Sequence, residues 1–240
     1  MKQTMIALIL NSGLGHRMGD ITKTHPKCMT EIEKNETILS RQLNLLLKVG
    51  IKEVVMTTGY FDEVLIDYCH SLGLPLKYTF INNPFYAATN YIYSIYCARG
   101  KLDDDIVLMH GDLVFDESVL SDIINNKSSC MKVSSTIKLP DKDFKAFVKD
   151  GRVYKVGIEF FDSAMEAQAL YKLKKKDWEI WLKEIISFCE SGNTKVYAEN
   201  AFNQVSDKCE IYALDVKDRL CTEIDTPEDL AKVKEMLKHE

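Results

Sequence analysis

What most constrains the fold is an order of segments: short β-rich apolar runs take turns with amphipathic helical ones through the first half of the chain. Met5–Leu10, Glu53–Thr58, Leu76–Ile81 and Asp105–Met109 read as strands. Ile38–Val49 reads as a helix, with Leu39, Leu43, Leu46 and Leu47 on one face and Gly50 to stop it. Asp62–Ser71 is a second helix, and a third runs from a Thr89 cap to about Ala98, before Gly100. Strands separated by helices imply a parallel sheet built from right-handed βαβ units, an α/β class.

The pattern changes after about residue 130. Met131–Ile137, Ala146–Lys149 and Arg152–Gly157 read as strands, the last two joined by an Asp150-Gly151 hairpin signal. Ser163–Leu170 and Asp177–Glu190 read as helices, and residues 210–216 as a strand. A last helix opens with Thr226 as cap and Pro227 in its first turn. Without repeats or linkers, the expectation is one domain, 1–240, elaborated in its second half.

The first strand runs into Gly13-x-Gly15-x-Arg17, followed by Thr22 and Pro26-Lys27. A dinucleotide fingerprint would need glycine at position 18, which is Met18, and the Walker loop's Gly-Lys-Ser/Thr is absent. What remains is a glycine turn whose backbone N–H groups can approach an anion, an arginine fork and a lysine point charge. That combination fits a polyphosphate. Asp112 follows the strand Asp105–Met109, at the sheet edge where open α/β folds bind ligands. Asp225 precedes the last helix. Two aspartates from separate strands can hold Mg²⁺ together with substrate phosphates.

"GLGHRMGDITKTHPK" resembles the signature GxGxR-x4-T-x3-PK of the nucleotidyltransferases that make sugar nucleotides and CDP-alcohols. Bacterial choline-phosphate cytidylyltransferases and their small-substrate relatives are most alike, through "GYFDEVL", "NNPFYAATNYIYSIY", "HGDLVF" and "EIDTPEDL" as well. The resemblance implies a Rossmann-like, mostly parallel mixed sheet with helices on both faces. Residues 1–137 and 208–240 would form the nucleotide and metal core, and 138–207 the substrate-binding elaboration. It implies Mg²⁺-dependent transfer of CMP from CTP to choline phosphate or a similar small phosphoester or phosphonate, with release of pyrophosphate. Arg17 and Lys27 are then the catalytic cations and Asp112 and Asp225 the metal ligands. Leu10, Asn11, Ser12, Gly13 and Gly15 lie at the nucleotide, which Asn90 and Ser94, on one helix face, can also reach. The family has Ala-Ala or Ala-Gly where this chain has Asn11-Ser12, next to the expected base and ribose. His16 and His110 also depart from the usual pattern and are read as variation without a metal or acid–base role.

For the acceptor, a quaternary ammonium wants aromatic faces and a carboxylate. The second half supplies Glu159, Tyr171, Trp178, Glu199 and Asn200 for such a site. Lys145 resembles a lysine that holds phosphate in some relatives, while Lys172–Lys176 reads as a solvated face. Ethanolamine phosphate, an aminophosphonate or a sugar 1-phosphate remain alternative acceptors, and a non-catalytic nucleotide-binding module is the reading from another class.

The net charge of −5 argues against a nucleic-acid partner. No stretch reaches the length of a membrane span, and no apolar signal region opens the chain. Seven scattered cysteines without a CxxC pair suit reduced thiols. The expectation is a cytoplasmic monomer or homodimer.

Overall fold

The computed structural model describes residues 5–238. Strand β1 (Met5–Leu10) runs into the glycine loop, and the short hairpin β2 (Glu31–Glu33) and β3 (Glu36–Thr37) leads to α1 (Ile38–Lys48). There follow β4 (Glu53–Thr58), α2 (Asp62–Ser71), β5 (Lys77–Asn82), α3 (Tyr91–Ala98), β6 (Asp105–His110), β7 (Leu113–Phe115), α4 (Glu117–Asn125) and β8 (Ser129–Ser134). The rest of the chain supplies β9 (Lys145–Lys149), β10 (Arg152–Gly157), β11 (Ala164–Leu173), α5 (Lys175–Glu190) and α6 (Ala198–Val205). It closes with β12 (Ile211–Asp215), β13 (Cys221–Glu223) and α7 (Pro227–Leu237).

One nine-stranded sheet has the order β5-β4-β1-β6-β11-β8-β12-β10-β9. Strands β5, β4, β1 and β6 are parallel, as the alternation of strand and helix requires. β11 enters antiparallel between β6 and β8, β12 runs parallel to β8, and β10 and β9 continue antiparallel. The sheet is therefore mixed, with its parallel pairs concentrated around β1. Leu10 lies opposite Thr57 on one side and His110 on the other. The carboxyl ends of three neighbouring strands thus meet at one edge.

Period-2 alternation gives the sheet two apolar faces. Ala7 and Ile9 of β1 pack with Leu39 and Leu43 of α1, Leu65 of α2 and Val119 of α4. Leu8 and Leu10 pack on the other side, with Ile92 and Ile95 of α3, Trp178 and Trp181 of α5 and Phe202 of α6. A smaller cluster of Met18, Ile32, Val114, Ile224 and Leu230 ties α7 to the glycine loop. Caps set the helix starts: the Thr37 and Ser40 side chains each accept the other's backbone N–H, and Thr226 and Asp229 do the same for α7. Asp150 and Gly151 both take positive φ, as a primed hairpin turn between β9 and β10 requires. Among the described residues no helix is long and apolar enough to cross a membrane.

Three expectations change. The predicted helix Ser163–Leu170 is β11, almost wholly buried at the centre of the sheet. Its Met, Glu, Ala, Gln and Leu residues favour helix locally, but pairing with β6, β8 and β9 overrides a propensity of tenths of a kcal/mol per residue. Asn90, not Thr89, caps α3, accepting from the Tyr91 N–H at 2.7 Å. The Thr89 hydroxyl is spent on the Phe85 carbonyl at 2.8 Å. Strand β8 also starts and stops earlier than predicted, at Ser129 and Ser134.

Trp178 belongs to the core and leaves the acceptor site. Its side chain is 0% exposed, its indole N–H donates to the Leu102 carbonyl at 3.0 Å, and its ring meets Trp181 edge-on. Trp178→Ala should therefore lower the unfolding free energy by about 3–5 kcal/mol. A urea titration measures this, and an unchanged midpoint with a raised acceptor KM would return Trp178 to the site.

Candidate active site

The site begins where β1 and β6 end. The Asn11 N–H donates to the Thr57 carbonyl at 3.2 Å, and the Gly111 N–H to the Leu10 carbonyl at 3.1 Å, so the two loops leave the sheet in register. Their close approach requires glycine. A Cβ on Gly111 would lie 1.6 Å from the Asn11 side-chain oxygen, and one on Gly59 2.4 Å from the Ser12 carbonyl. Beyond Gly13 the chain turns through Gly15 in the left-handed region (φ 65°). The Gly15 carbonyl is held by the Met18 N–H and the Thr22 hydroxyl, both at 3.0 Å, which explains threonine at that step of the motif.

This folding brings both motif cations onto both motif aspartates. The Lys27 ammonium bridges Asp112 and Asp225, at 2.7 Å from the latter. Arg17 reaches the same Asp225 oxygen at 2.8 Å. Lys27 is only 15% exposed, whereas Arg17 is 69% exposed and free to reorient. Burial alone would lower the Lys27 pKa, but the charges of Asp112 and Asp225 outweigh it and raise it. Burial likewise works against the Asp112 charge, and Lys27 followed by His110 holds its pKa below the ordinary carboxylate value.

A second ionic pair lies alongside. His110 Nδ1 is 3.0 Å from a Glu223 oxygen. Burial would depress the imidazole pKa, but its hydrogen bond to Glu223 and that residue's charge carry it to about 9. Burial and then Asp112 push the Glu223 carboxyl up.

The cleft has three connected lobes, and Asp112 lines them all. The first, about 350 Å³, is walled by Leu10, Asn11, Gly13, Gly15, Arg17, Lys27 and Asp225. The second, about 190 Å³, is walled mostly by neutral polar groups, among them Ser12, Asn83, Asn90 and Ser94, with Tyr86 beside them and His110 next to Asp112 as its ionisable members. The third, about 370 Å³, combines Tyr91, Phe144 and Tyr197 with Lys142, Asp143 and Glu223. The donor set of the cleft fits a hard divalent cation. Asp112 and Asp225 bring their carboxylates to one point, and one Asp112 oxygen is buried with no hydrogen-bond partner among the described residues.

All the sequence-predicted nucleotide and metal residues line this cleft, while the predicted acceptor residues do not. Glu199 is 1% exposed and accepts from the phenols of Tyr91 and Tyr171, the latter at 2.9 Å and itself buried. Burial, and then the Glu199 charge, keeps both phenols protonated well beyond their ordinary range. Asn200 caps α6 through the Tyr197 N–H at 2.9 Å. The Lys145 ammonium is buried under the Phe161 ring and donates to the carbonyls of Pro140 and Asp143, so it fastens the loop that carries Lys142 and Asp143. Glu159 is exposed in the bend after β10 and packs against Gly157.

Reasoning from sequence missed Asn83, Tyr91, Lys142, Asp143, Tyr197 and Glu223 as lining residues, and gave His110 no role. A signal existed for two of these. His110 and Asp112 are two residues apart at one strand end and Glu223 and Asp225 at another, so each pair clusters ionisable groups at the edge where open α/β sheets bind ligands.

A profile of the MobA-like NTP transferase domain matches residues 7–135. The chain is 29% identical over 215 residues to the CTP:phosphoglutamine cytidylyltransferase of Campylobacter jejuni, covering 82% of each. It is 22% identical over 253 residues to the choline-phosphate cytidylyltransferase of Streptococcus pneumoniae, covering 98% of this chain and all of that one. The solved structure of the CTP:phosphocholine cytidylyltransferase LicC from Streptococcus pneumoniae superposes with a TM-score of 0.79 at 19% identity, over 98% of this chain and 99% of that one. The match of the family profile across the glycine loop, Lys27 and Asp112 makes the chain a member of the MobA-like NTP transferase family, and so a nucleotidyltransferase.

Proposed function

We propose that the protein transfers CMP from CTP to the phosphate or phosphonate of a small polar acceptor such as choline phosphate, releasing pyrophosphate. The observation that carries this reading is the Lys27 ammonium held between Asp112 and Asp225, with Arg17 on the same carboxylate, beside a loop of backbone donors. These charges satisfy one another in the protein alone and can be redistributed to a triphosphate. The first lobe then takes the phosphates. The second, mostly neutral and polar, suits a nucleoside, and the third, with charges of both signs, suits a charged acceptor head. Tyr91 and Tyr197 offer aromatic faces and Asp143 and Glu223 offer carboxylates, the chemistry an ammonium head wants. The relatives named for phosphoglutamine and choline phosphate support a small phosphorylated acceptor.

The reaction needs no protein base. A phosphate monoester loses its second proton with a pKa of about 6, so its oxygen is a ready nucleophile at neutral pH. That oxygen forms a bond to the α-phosphorus as the bond to the β-phosphate oxygen breaks, and pyrophosphate carries away the electron pair. What the protein must supply is alignment and charge stabilisation between two polyanions. Lys27 is fixed where both meet, and Arg17 can fold over the phosphates from outside. Asp112 and Asp225 would hold Mg²⁺, which supplies Lewis-acid stabilisation of the phosphate oxygens. The seven cysteines are free thiols, which supports work in a reducing, cytoplasmic compartment.

The direct check is a pyrophosphate-release screen that crosses the four NTPs with choline phosphate, ethanolamine phosphate, aminoethylphosphonate and sugar 1-phosphates. CTP with a small phosphoester or phosphonate should dominate, and a preference for a sugar 1-phosphate with another NTP would overturn the reading. Lys27→Ala and Asp112→Asn should each cut kcat on the order of a hundredfold when assayed well below their melting midpoints, with Lys27→Ala also lowering the midpoint because it leaves Asp112 and Asp225 facing each other. Rates falling only in step with stability would make these residues structural. Tyr91→Phe and Glu199→Gln loosen the wall shared by the second and third lobes, so both should raise the acceptor KM by more than the CTP KM. A CTP KM raised more than the acceptor KM would reverse the assignment of the second and third lobes.

A further inference from the structure

Most charges around the third lobe are already matched within the protein. Arg17 is bonded to Asp225 at 2.8 Å, His110 to Glu223 at 3.0 Å, and Asp112 to Lys27. Lys142 and Asp143 are left over. Both are exposed, and neither side chain has a hydrogen bond or an ion pair among the described residues. They are consecutive in the chain and opposite in sign. The loop that carries them is fastened on both sides of the pair. From beneath, the buried Lys145 ammonium donates to the carbonyls of Pro140 and Asp143, with the Phe161 ring 4.3 Å away. Next along the chain, Phe144 is buried and its ring meets Tyr197 edge-on at 5.1 Å.

Their position separates this pair from the phosphate under transfer. Asp112 lines all three lobes and Arg17 the first and third, whereas Lys142 and Asp143 line the third alone. The reacting phosphate has to meet the nucleotide where the lobes join, so Lys142 and Asp143 face the other end of the acceptor. A head that carries an ammonium alone would be attracted by Asp143 and repelled by the lysine beside it. A head that carries a carboxylate alone would meet the reverse. A head with both charges satisfies both residues, and the repulsion rejects its singly charged analogues.

We infer that the acceptor is the phosphate or phosphonate of an amino acid, with its carboxylate on Lys142 and its ammonium on Asp143; this rests on the cytidylyltransferase reading above. The two charges of an α-amino acid flank a single carbon, and Lys142 and Asp143 are neighbours in the chain, so one head can reach both. Tyr91, Phe144 and Tyr197 then cover its short aliphatic body. Choline phosphate keeps only the contact to Asp143 and leaves a like charge facing Lys142, which makes it the poorer acceptor in the same reaction.

Pyrophosphate release with CTP tests this on acceptors that differ in the charges of the head. O-phosphoserine, O-phosphothreonine and phosphonoalanine carry both, ethanolamine phosphate and choline phosphate the ammonium alone, and phosphoglycolate the carboxylate alone. At least one amino-acid acceptor should exceed every singly charged one by about tenfold or more in kcat/KM. Lys142→Ala should narrow the ratio of that acceptor to ethanolamine phosphate by about tenfold, the size of one charge-assisted hydrogen bond, and Lys142→Glu should reverse the preference. Asp143→Asn should narrow its ratio to phosphoglycolate by a similar factor. Damage to the fold would lower all acceptors alike and leave these ratios unmoved. If no amino-acid acceptor exceeds the singly charged ones, or the variants keep the wild-type ratios, the inference is wrong. Turnover of choline phosphate or ethanolamine phosphate with CTP would then leave the cytidylyltransferase reading standing, whereas release with another NTP alone would overturn that reading itself.

Discussion

The active-site edge of the sheet depends on a single ammonium. Asp112 and Asp225 belong to chain segments far apart in sequence and come together at the mouth of the cleft, where two like charges would repel by roughly 4 kcal/mol at 4 Å in a medium of intermediate dielectric. Lys27, pinned by the 3-10 turn that Pro26 starts, sits between them and reverses the sign of that interaction. Three pieces are thereby fixed to one another: the glycine loop, the turn after β6 and the turn before α7. Because Arg17 shares the Asp225 oxygen, the cations suited to phosphate are the same ones that hold the cleft together without it. Binding a polyanion then exchanges one set of partners for another rather than exposing a new charge.

The nucleotide side is therefore built on rigid elements. Its residues come from strand ends in register, and two of the contacts between them are too close for any side chain but glycine. This part of the fold was legible in the sequence, because each device is local: the apolar run of β1, the Gly13-x-Gly15-x-Arg17 loop, the Thr226-Pro227 helix start and the Asp150-Gly151 hairpin all announce themselves within a few residues. The family resemblance added what local rules lack, the pairing of Asp112 with Asp225.

Where reading failed, the missing information was which side a residue faces. β11 is buried on both faces, so it lacks the alternation that marks a strand, and its composition favours helix. Trp178 suggests an acceptor residue only because it is an aromatic face for an ammonium head. Yet Trp178, Trp181, Ile185 and Cys189 fall on one stripe of α5 and are all buried, which identifies a core face. The resemblance assigns Lys145 to a phosphate, but its ammonium turns inward to two backbone carbonyls. No local pattern distinguishes such a buried lysine from a solvated one.

The acceptor side is braced differently. Glu199 of α6 is a buried carboxylate that accepts from Tyr91 of α3 and Tyr171 of β11, so it holds three elements together through charge-assisted hydrogen bonds. The Tyr91 ring then meets His110 edge-on at 4.7 Å, and His110 is bonded to Glu223. A continuous line of polar and aromatic contacts thus runs from the core to the shared edge of the second and third lobes. Removing one member would leave the Glu199 charge or a phenol without its partner in a water-poor setting, which is costly, so this wall is stiff. The opposite wall is a surface loop, with Lys142 and Asp143 exposed and only Lys145 fastening it from beneath. An acceptor in the third lobe is therefore gripped between a rigid aromatic face and an adaptable charged one. Such a division lets the acceptor head vary through loop residues while Lys27, Asp112 and Asp225 keep their geometry.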